Sequence, residues 1–193
     1  MRRRAFVRRV VALVLGASSA AGVAACGGRD PDDEGMGGGM MDGPMPDWMM
    51  SAGGMDRGMR EDMRVIRRLL RAHRQIDRAV ADVPGGVRTR TVSDDPEIAA
   101  LIRTHVRQMK ARVEAGEPIR GMDPLFREIF EHHREIEMEV EDVPGGVRVR
   151  ETSDEAQVVL LIRQHARRAV SEFVRRGMRR AMQRTPLPPG YRG

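Results

Sequence analysis

The stretch Asp82-Val83-Pro84-Gly85-Gly86-Val87-Arg88 returns unchanged sixty residues later as Asp142-Val143-Pro144-Gly145-Gly146-Val147-Arg148. An internal repeat of this length fixes the architecture before any other pattern is considered. The histidines keep the same register, because His73 matches His133 and His105 matches His165. We therefore expect one domain built from two copies of a single unit, related by a pseudo-twofold axis.

Apolar residues at three- and four-residue intervals predict two helices in each copy, and each apolar stripe includes one histidine. In chain order the stripes are Val65, Ile66, Leu69, Leu70, His73, Ile76 and Val80; Ile98, Leu101, Ile102, His105, Met109 and Val113; Leu125, Phe126, Ile129, Phe130, His133, Ile136 and Val140; Val158, Leu161, Ile162, His165, Ala169 and Phe173. Asp94 with Glu97, and Asp154 with Gln157, have the spacing of a capping box at the start of the second and fourth helices. Pro96 suits the first turn of the second helix.

Between the helices of each copy, Pro-Gly-Gly predicts a turn, and the alternating Val and Arg residues that follow predict a short strand. One isolated strand leaves its backbone unsatisfied, so the two equivalent strands are expected to pair across the pseudo-twofold axis. The predicted fold is mostly α within the α+β class. It is a four-helix bundle made from two helix-strand-helix repeats, with a small two-stranded β ribbon.

Composition divides the chain into four segments. Five arginines and the apolar run Val10 to Leu15 indicate an export signal over residues 1–25. Residues 26–58 are dominated by Gly, Asp, Pro and Met without a period, which predicts a disordered tether. The duplicated helical domain is expected over 59–184, with repeats at about 60–116 and 124–180, and 185–193 form an extended tail.

The only cysteine stands at the end of the signal. Val23-Ala24-Ala25-Cys26 resembles the lipobox of bacterial lipoproteins, whose cysteine becomes the acylated N-terminus of the mature protein. This resemblance implies a membrane lipid partner through Cys26 and an extracytoplasmic, membrane-anchored location. Gly27 favours the outer membrane, facing the periplasm, if the cell has two membranes. The folded domain itself must form without disulfides.

The overall basic charge is concentrated in the signal. Five of the 34 basic residues lie there and no acidic residue does, which leaves 29 basic and 28 acidic groups. The mature chain is therefore almost neutral, and the electrostatic argument for binding nucleic acid disappears. The sequence indicates no particular protein partner.

Four inward imidazoles could form a transition-metal site, since neutral imidazole binds copper, zinc, iron and nickel. The candidate ligands are His73, His105, His133 and His165, with His132 beside one of them. Two axial histidines could instead hold a haem. Alternatively, the histidines are ordinary core residues that duplication has doubled.

Methionines in the tether add a second indication of metal binding. Thioethers are soft ligands that suit Cu(I). This stretch resembles the methionine-rich segments of exported bacterial copper-handling proteins, although the methionines could equally belong to a flexible linker. The candidate auxiliary ligands are Met36, Met40, Met41, Met45, Met49, Met50, Met55 and Met59.

A non-haem di-iron site is a further possibility, because Asp77 follows His73 by four residues and Glu137 follows His133 by four. However, the sequence has no Glu-x-x-His pair of the ferritin type. It also has no His-Glu-x-x-His motif, phosphate-binding loop or serine nucleophile motif. The residues therefore do not support an enzyme.

The tandem domain is similar to a family of uncharacterised exported bacterial proteins in which a Gly-Val strand leads through Thr-Ser-Asp-Asp-Pro to a histidine-bearing helix. The matching residues are Gly86-Val87 through Ser93-Asp94-Asp95-Pro96 to His105, and Gly146-Val147 through Ser153-Asp154 to Ala166. The resemblance supports the fold and implies no activity.

The sequence therefore predicts a lipid-anchored extracytoplasmic protein that binds a transition metal, with copper favoured, for sequestration or transfer. The alternatives are a bis-histidine haem protein for electron transfer and a metal-free interaction or structural module of the envelope.

Overall fold

The computed structural model describes residues 57–193, and in it each Pro-Gly-Gly stretch forms the turn of a β-hairpin. Strand β1 (Asp77–Val83) pairs with β2 (Gly86–Val92), and β3 (Glu137–Val143) pairs with β4 (Gly146–Thr152). Gly85 and Gly145 take positive φ angles of 72° and 77° at these turns, where a side chain would be strained.

Helices flank both hairpins in chain order. The first copy contains α1 (Arg57–Arg71), a 3-10 turn at His73–Gln75, and α2 (Pro96–Ala115). The second copy contains α3 (Pro124–Glu131), a 3-10 turn at His133–Glu135, α4 (Ala156–Gln164), a π-helical segment at His165–Val170, α5 (Ser171–Arg176) and α6 (Met178–Ala181). None of the helices in residues 57–193 combines the length and the apolar composition needed to cross a membrane.

The two hairpins join into a four-stranded antiparallel sheet with the order β1-β2-β4-β3. As expected, β2 and β4 pair across the pseudo-twofold axis, with Val87 opposite Glu151 and Thr91 opposite Val147. Residues at alternate positions along these strands are buried against the helices, whereas Arg88, Arg90 and their equivalents face outward.

The two copies are interleaved in the core. Val87 on β2 packs with Val158 and Ile162 from α4, which belongs to the other copy. In the same way, Val147 on β4 packs with Ile102 from α2. The central strands β2 and β4 are thus each buried under a helix of the other copy, α4 and α2. Neither copy therefore has a complete core of its own.

The predicted four-helix bundle with a two-stranded ribbon is wrong. The first and third predicted helices stop at Arg71 and Glu131, and the residues that follow form β1 and β3. Ile136 and Val140 fit a helical interval, but Met138 also faces inward between outward Glu137 and Glu139, which is the period of a strand. Pairing with β4 decides in favour of the strand.

The predicted helix caps are also shifted. Asp95, rather than Asp94, caps α2, because its carboxylate accepts hydrogen bonds from the backbone N–H groups of Glu97 and Ile98. Glu155 occupies the equivalent position before α4, and its side chain makes no capping bond to that described helix. Pro96 lies in the first turn, as predicted.

A buried ionic network fastens the last residues to α3. The carboxylate of Asp123, which is fully buried, accepts from Arg120 Nη2 at 3.1 Å and from the backbone N–H of Thr185 at 2.9 Å. Arg180 donates to the hydroxyl of Thr185 at 3.0 Å. Residues beyond Thr185 then run without regular structure to Tyr191, whose hydroxyl donates to Glu128 at 2.8 Å.

Candidate functional site

His73 and His133 each cap the C-terminal end of a helix that belongs to the other copy. The Nδ1 of His73 lies 2.8 Å from the carbonyl oxygen of Val174, and the Nδ1 of His133 lies 2.9 Å from that of Val113. A carbonyl oxygen only accepts, so each Nδ1 carries the proton and donates it. Val174 and Val113 lie in the last turns of α5 and α2, where carbonyls run out of partners within the helix. The Val113 carbonyl also accepts from the backbone N–H of Gly116 at 3.2 Å.

Glycine makes room for each of these rings. Gly116 and Gly177 follow α2 and α5 with φ angles of 66° and 57°. A Cβ at Gly116 would lie 2.7 Å from His133 Nε2, and one at Gly177 would lie 2.5 Å from His73 Cδ2. The matched histidines and glycines therefore form two equivalent structural caps.

This arrangement corrects the expectation that four helices each point one histidine to a common centre. His73 and His133 lie in 3-10 turns after the helices, and each ring is bound to a main-chain oxygen. His132 interacts near the surface with Glu135 at 3.1 Å and Tyr191 at 3.2 Å. Of the five histidines, His73, His105 and His165 line one internal cavity, and of these three only His73 is bound to a main-chain oxygen.

Within residues 57–193 no group of three or more His, Cys, Asp or Glu side chains is arranged to hold a metal ion. Asp77 and Glu137, considered for a di-iron site, lie on strands with exposed side chains rather than on helices beside histidine. Met59 is a core residue of α1 and is 5% exposed, so it is not part of a tether. Cys26 and the methionines from Met36 to Met55 lie outside the described residues.

A cavity of about 210 Å³ lies between the inward face of the sheet and the helices. Its wall is mainly apolar and includes Leu69, Ile102, Met109, Phe126 and Val149. Arg78, Thr91, His105, Glu151 and His165 also line it. The cavity therefore combines an apolar body with a small set of polar and ionisable groups.

The polar residues of the cavity break the repeat symmetry. Arg78 on β1 donates from Nη1 to the hydroxyl of Thr91, directly opposite on β2, at 2.6 Å. In the second copy the equivalent facing pair is Met138 and Glu151. The first copy thus supplies a cation and the second an anion, whereas each copy supplies a histidine.

His165 is positioned by an irregular helix. It opens the π-helical segment, and its Nδ1 lies 3.7 Å from Oε2 of Glu151. The ring meets Phe126 edge-on, with 5.4 Å between centroids. Single turns of π-helix are frequent at functional sites, because they shift side chains out of the regular helical register. The equivalent His105 lies inside the regular helix α2.

Burial and neighbouring charge set the protonation of this cluster. Burial lowers the pKa of His105 to about 4, so this ring is neutral at pH 7. Burial also lowers the pKa of Arg78 to about 10, opposed by the charge of Glu151, and Arg78 stays cationic. Burial alone would raise the pKa of Glu151, but the neighbouring His165 and Arg78 lower it overall, so Glu151 stays ionised.

Two buried nitrogens in this cluster have no hydrogen-bond partner among the described residues. They are Nε of Arg78 and Nδ1 of His105, and both residues line the cavity. A buried polar atom without a partner costs about 1–3 kcal/mol, so its persistence needs an explanation. A bound molecule that accepts from Arg78 Nε would supply the missing bond.

Sequence reasoning missed Arg78, Thr91 and Glu151. The sequence pattern predicted a helix at Arg78, and in that helix Arg78 would lie outside the apolar stripe that contains the histidine. Glu151 carried a usable signal, since it continues the inward positions Val147 and Val149 with an acidic residue. A carboxylate at an inward strand position is rarely buried without a partner.

The chain matches no known protein-family model, no curated protein and no solved structure.

Proposed function

We propose that this protein binds a small, mostly apolar molecule carrying one neutral oxygen in the cavity between the sheet and the helices. The observation that carries the proposal is the pair of unpartnered buried nitrogens, on Arg78 and His105, in one mainly apolar cavity. Ligand sites are typically apolar cavities in which a few polar groups fix the orientation.

The size of the cavity limits the ligand. An engineered protein cavity of roughly 150 Å³ holds benzene. The cavity here, at about 210 Å³, suits a single ring or a short chain with one substituent. It is smaller than the pockets of roughly 300–1,000 Å³ that hold drug-sized molecules, and much smaller than a haem requires.

The charge balance selects the head group. Arg78 is cationic, Glu151 is anionic and His105 is neutral, so these three groups cancel. Arg120 also lines the cavity, and its charge is balanced by Asp123 at 3.1 Å. A carboxylate ligand would gain from Arg78 but meet Glu151 in a chamber that solvent screens poorly. A hydroxyl or carbonyl oxygen accepts from Arg78 Nε without adding charge.

Three related probes test this proposal by NMR titration of the purified domain: benzene, phenol and benzoate. We expect saturable shifts at cavity residues with phenol and benzene, tighter binding of phenol, and the weakest binding with benzoate. Val106→Phe, which fills the cavity from α2, should abolish binding, whereas Val159→Phe on α4, outside the cavity lining, should not. Equal weak binding of all three probes to both variants would contradict the proposal.

Copper binding is a second candidate, and one specific observation favours it. His105 and Met109 lie one helical turn apart, both line the cavity with His165, and His105 has a free, neutral imidazole nitrogen. Imidazole and thioether together suit Cu(I). The adjacent cation of Arg78 opposes it, which is why we place it second.

Anaerobic titration with Cu(I) held by a colorimetric chelator separates the two candidates. If copper binds in the cavity, the parent protein should take up one equivalent of Cu(I). This uptake should be lost in His105→Gln and in His165→Gln. The cap variant His133→Gln, outside the cavity lining, is the matched control and should retain it. Binding that survives in all three variants would exclude a copper site at these histidines.

We further propose that Cys26 is acylated and anchors the domain to a membrane from the extracytoplasmic side. The support is the sequence alone, namely the apolar signal followed by Val23-Ala24-Ala25-Cys26. Metabolic labelling with a fatty acid should mark the full chain and not Cys26→Ser. Labelling of both chains, or of neither, would contradict it.

A further inference from the structure

The outward face of the sheet carries a cluster of four arginines at its centre. On β2 and β4 the opposing pairs are Arg88 with Arg150 and Arg90 with Arg148. All four side chains are exposed. Like charges directly opposite each other on neighbouring strands destabilise a sheet. This face therefore has an unfavourable arrangement that a bound anion would relieve.

Only one of the four arginines is neutralised within the described chain. Arg148 forms an ion pair with Glu141 on β3, at 2.6 Å. Arg88, Arg90 and Arg150 make no hydrogen bond or ion pair with any residue in 57–193. Two of the three unpaired arginines, Arg88 and Arg90, lie on β2 beside β1.

The second repeat shows how such a face is satisfied. On β3, Glu139 and Glu141 lie opposite Arg150 and Arg148 at alternate positions of an extended strand, and Glu141 forms an ion pair with Arg148. The equivalent positions on β1 are Ala79 and Ala81, opposite Arg90 and Arg88. These small side chains leave a groove lined by Ala79, Ala81, Arg88, Arg90 and Arg148.

We propose that this groove binds an extended acidic peptide running along β1, with carboxylates at alternate positions. Alternate residues of a strand are about 6.7 Å apart, so the spacing of Arg88 and Arg90 matches that of such carboxylates. Strand β1 is also at the edge of the sheet, where its backbone can pair with an added strand. Strand β3 already provides the same chemistry to Arg148 from within the chain.

Two other anions fit this face less well. A flat anionic membrane would also meet Glu137, Glu139 and Glu141, which are exposed on the same face. Single-stranded nucleic acid usually stacks its bases on aromatic side chains, and the outward positions of these four described strands carry none. A peptide that covers only the β1 side meets one carboxylate at the outward positions of that strand, Asp77, instead of three.

Fluorescence anisotropy with a labelled seven-residue peptide that alternates threonine and glutamate tests the proposal. We expect salt-sensitive binding that weakens about tenfold or more in Arg88→Ala/Arg90→Ala. The double variant Arg74→Ala/Arg134→Ala removes the same charge from the exposed 3-10 turns and should bind like the parent protein. A peptide with glutamine in place of glutamate should not bind.

The decisive variant is Ala79→Glu/Ala81→Glu, which gives the first repeat the carboxylates of the second. It should abolish peptide binding while the domain remains folded, because the arginines are then neutralised from within. Unchanged binding in this variant would overturn the proposal. Binding of anionic phospholipid vesicles or polyphosphate in place of the peptide would also overturn it.

Discussion

The two repeats agree where they build the fold and differ where they provide chemistry. His73 and His133 make equivalent caps on helices of the opposite copy. The two Pro-Gly-Gly hairpin turns have the same sequence. By contrast, Arg78 corresponds to Met138 and Thr91 to Glu151. The two copies share the scaffold, and they differ in the polar residues of the cavity and in the residues opposite the sheet arginines, Ala79 and Ala81 against Glu139 and Glu141.

The largest effect should come from the buried ionic networks, which differ between the copies. Asp123→Ala leaves Arg120 buried without its carboxylate and releases Thr185, so we expect a loss of about 3–5 kcal/mol in the free energy of unfolding. Asp62→Ala removes the partner of Arg112, but Glu117 remains 3.5 Å from that guanidinium. The loss of unfolding free energy in Asp62→Ala should therefore be smaller. Urea unfolding of both variants measures the difference, and equal losses would contradict this account of the two networks.

The next effect is the pH dependence of stability through His105. Its pKa is about 4 in the folded state and near 6.5 when unfolded, so the unfolded chain binds the extra proton between these values. Stability should therefore fall as the pH drops from about 6.5 towards 4, by up to about 3 kcal/mol. His105→Gln should lose this part of the dependence, whereas His132→Gln, near the surface, should keep it. A parallel pH profile for all three proteins would refute the assignment.

The caps should respond equally in the two repeats. Gly116→Ala and Gly177→Ala each force a side chain into a positive φ and against a histidine ring, so each should cost about 2 kcal/mol. Thermal unfolding of the two variants checks this equality. If only one of them is destabilised, the caps are not equivalent.

The smallest effect distinguishes the starts of α2 and α4, the equivalent helices of the two copies. Asp95→Ala should cost about 1 kcal/mol, because its carboxylate bonds to two backbone N–H groups of α2. Glu155→Ala should leave stability nearly unchanged, because Glu155 does not cap α4 through its side chain. A larger loss in Glu155→Ala than in Asp95→Ala would reverse this comparison.

The sequence was sufficient to locate the duplication, α2, α4 and the pairing of β2 with β4. It was misleading at Ile76–Val80 and Ile136–Val140, where the same apolar residues satisfy a helical stripe and an alternating strand. Only pairing with the neighbouring strand decides between them. That pairing is a contact distant in sequence, and local propensity does not contain it.

The same limitation explains why the histidines were grouped incorrectly. Their register identified two equivalent pairs, but the partner of each ring depends on the interleaving of the copies. His133 bonds to α2 of the first copy, and His73 bonds to a carbonyl of α5 in the second. Arg78 and Glu151 likewise line the same cavity only because β1 and β4 belong to one continuous sheet.

The most direct test of the proposed cavity function is the ratio of phenol affinity to benzene affinity in Arg78→Met, which gives the first repeat the residue of the second. Our account predicts that the parent protein prefers phenol and that the ratio falls to near one in the variant, with benzene binding retained. Arg88→Met, the same change on the outward face, should leave the ratio unaltered. An unchanged preference in Arg78→Met would contradict the central claim.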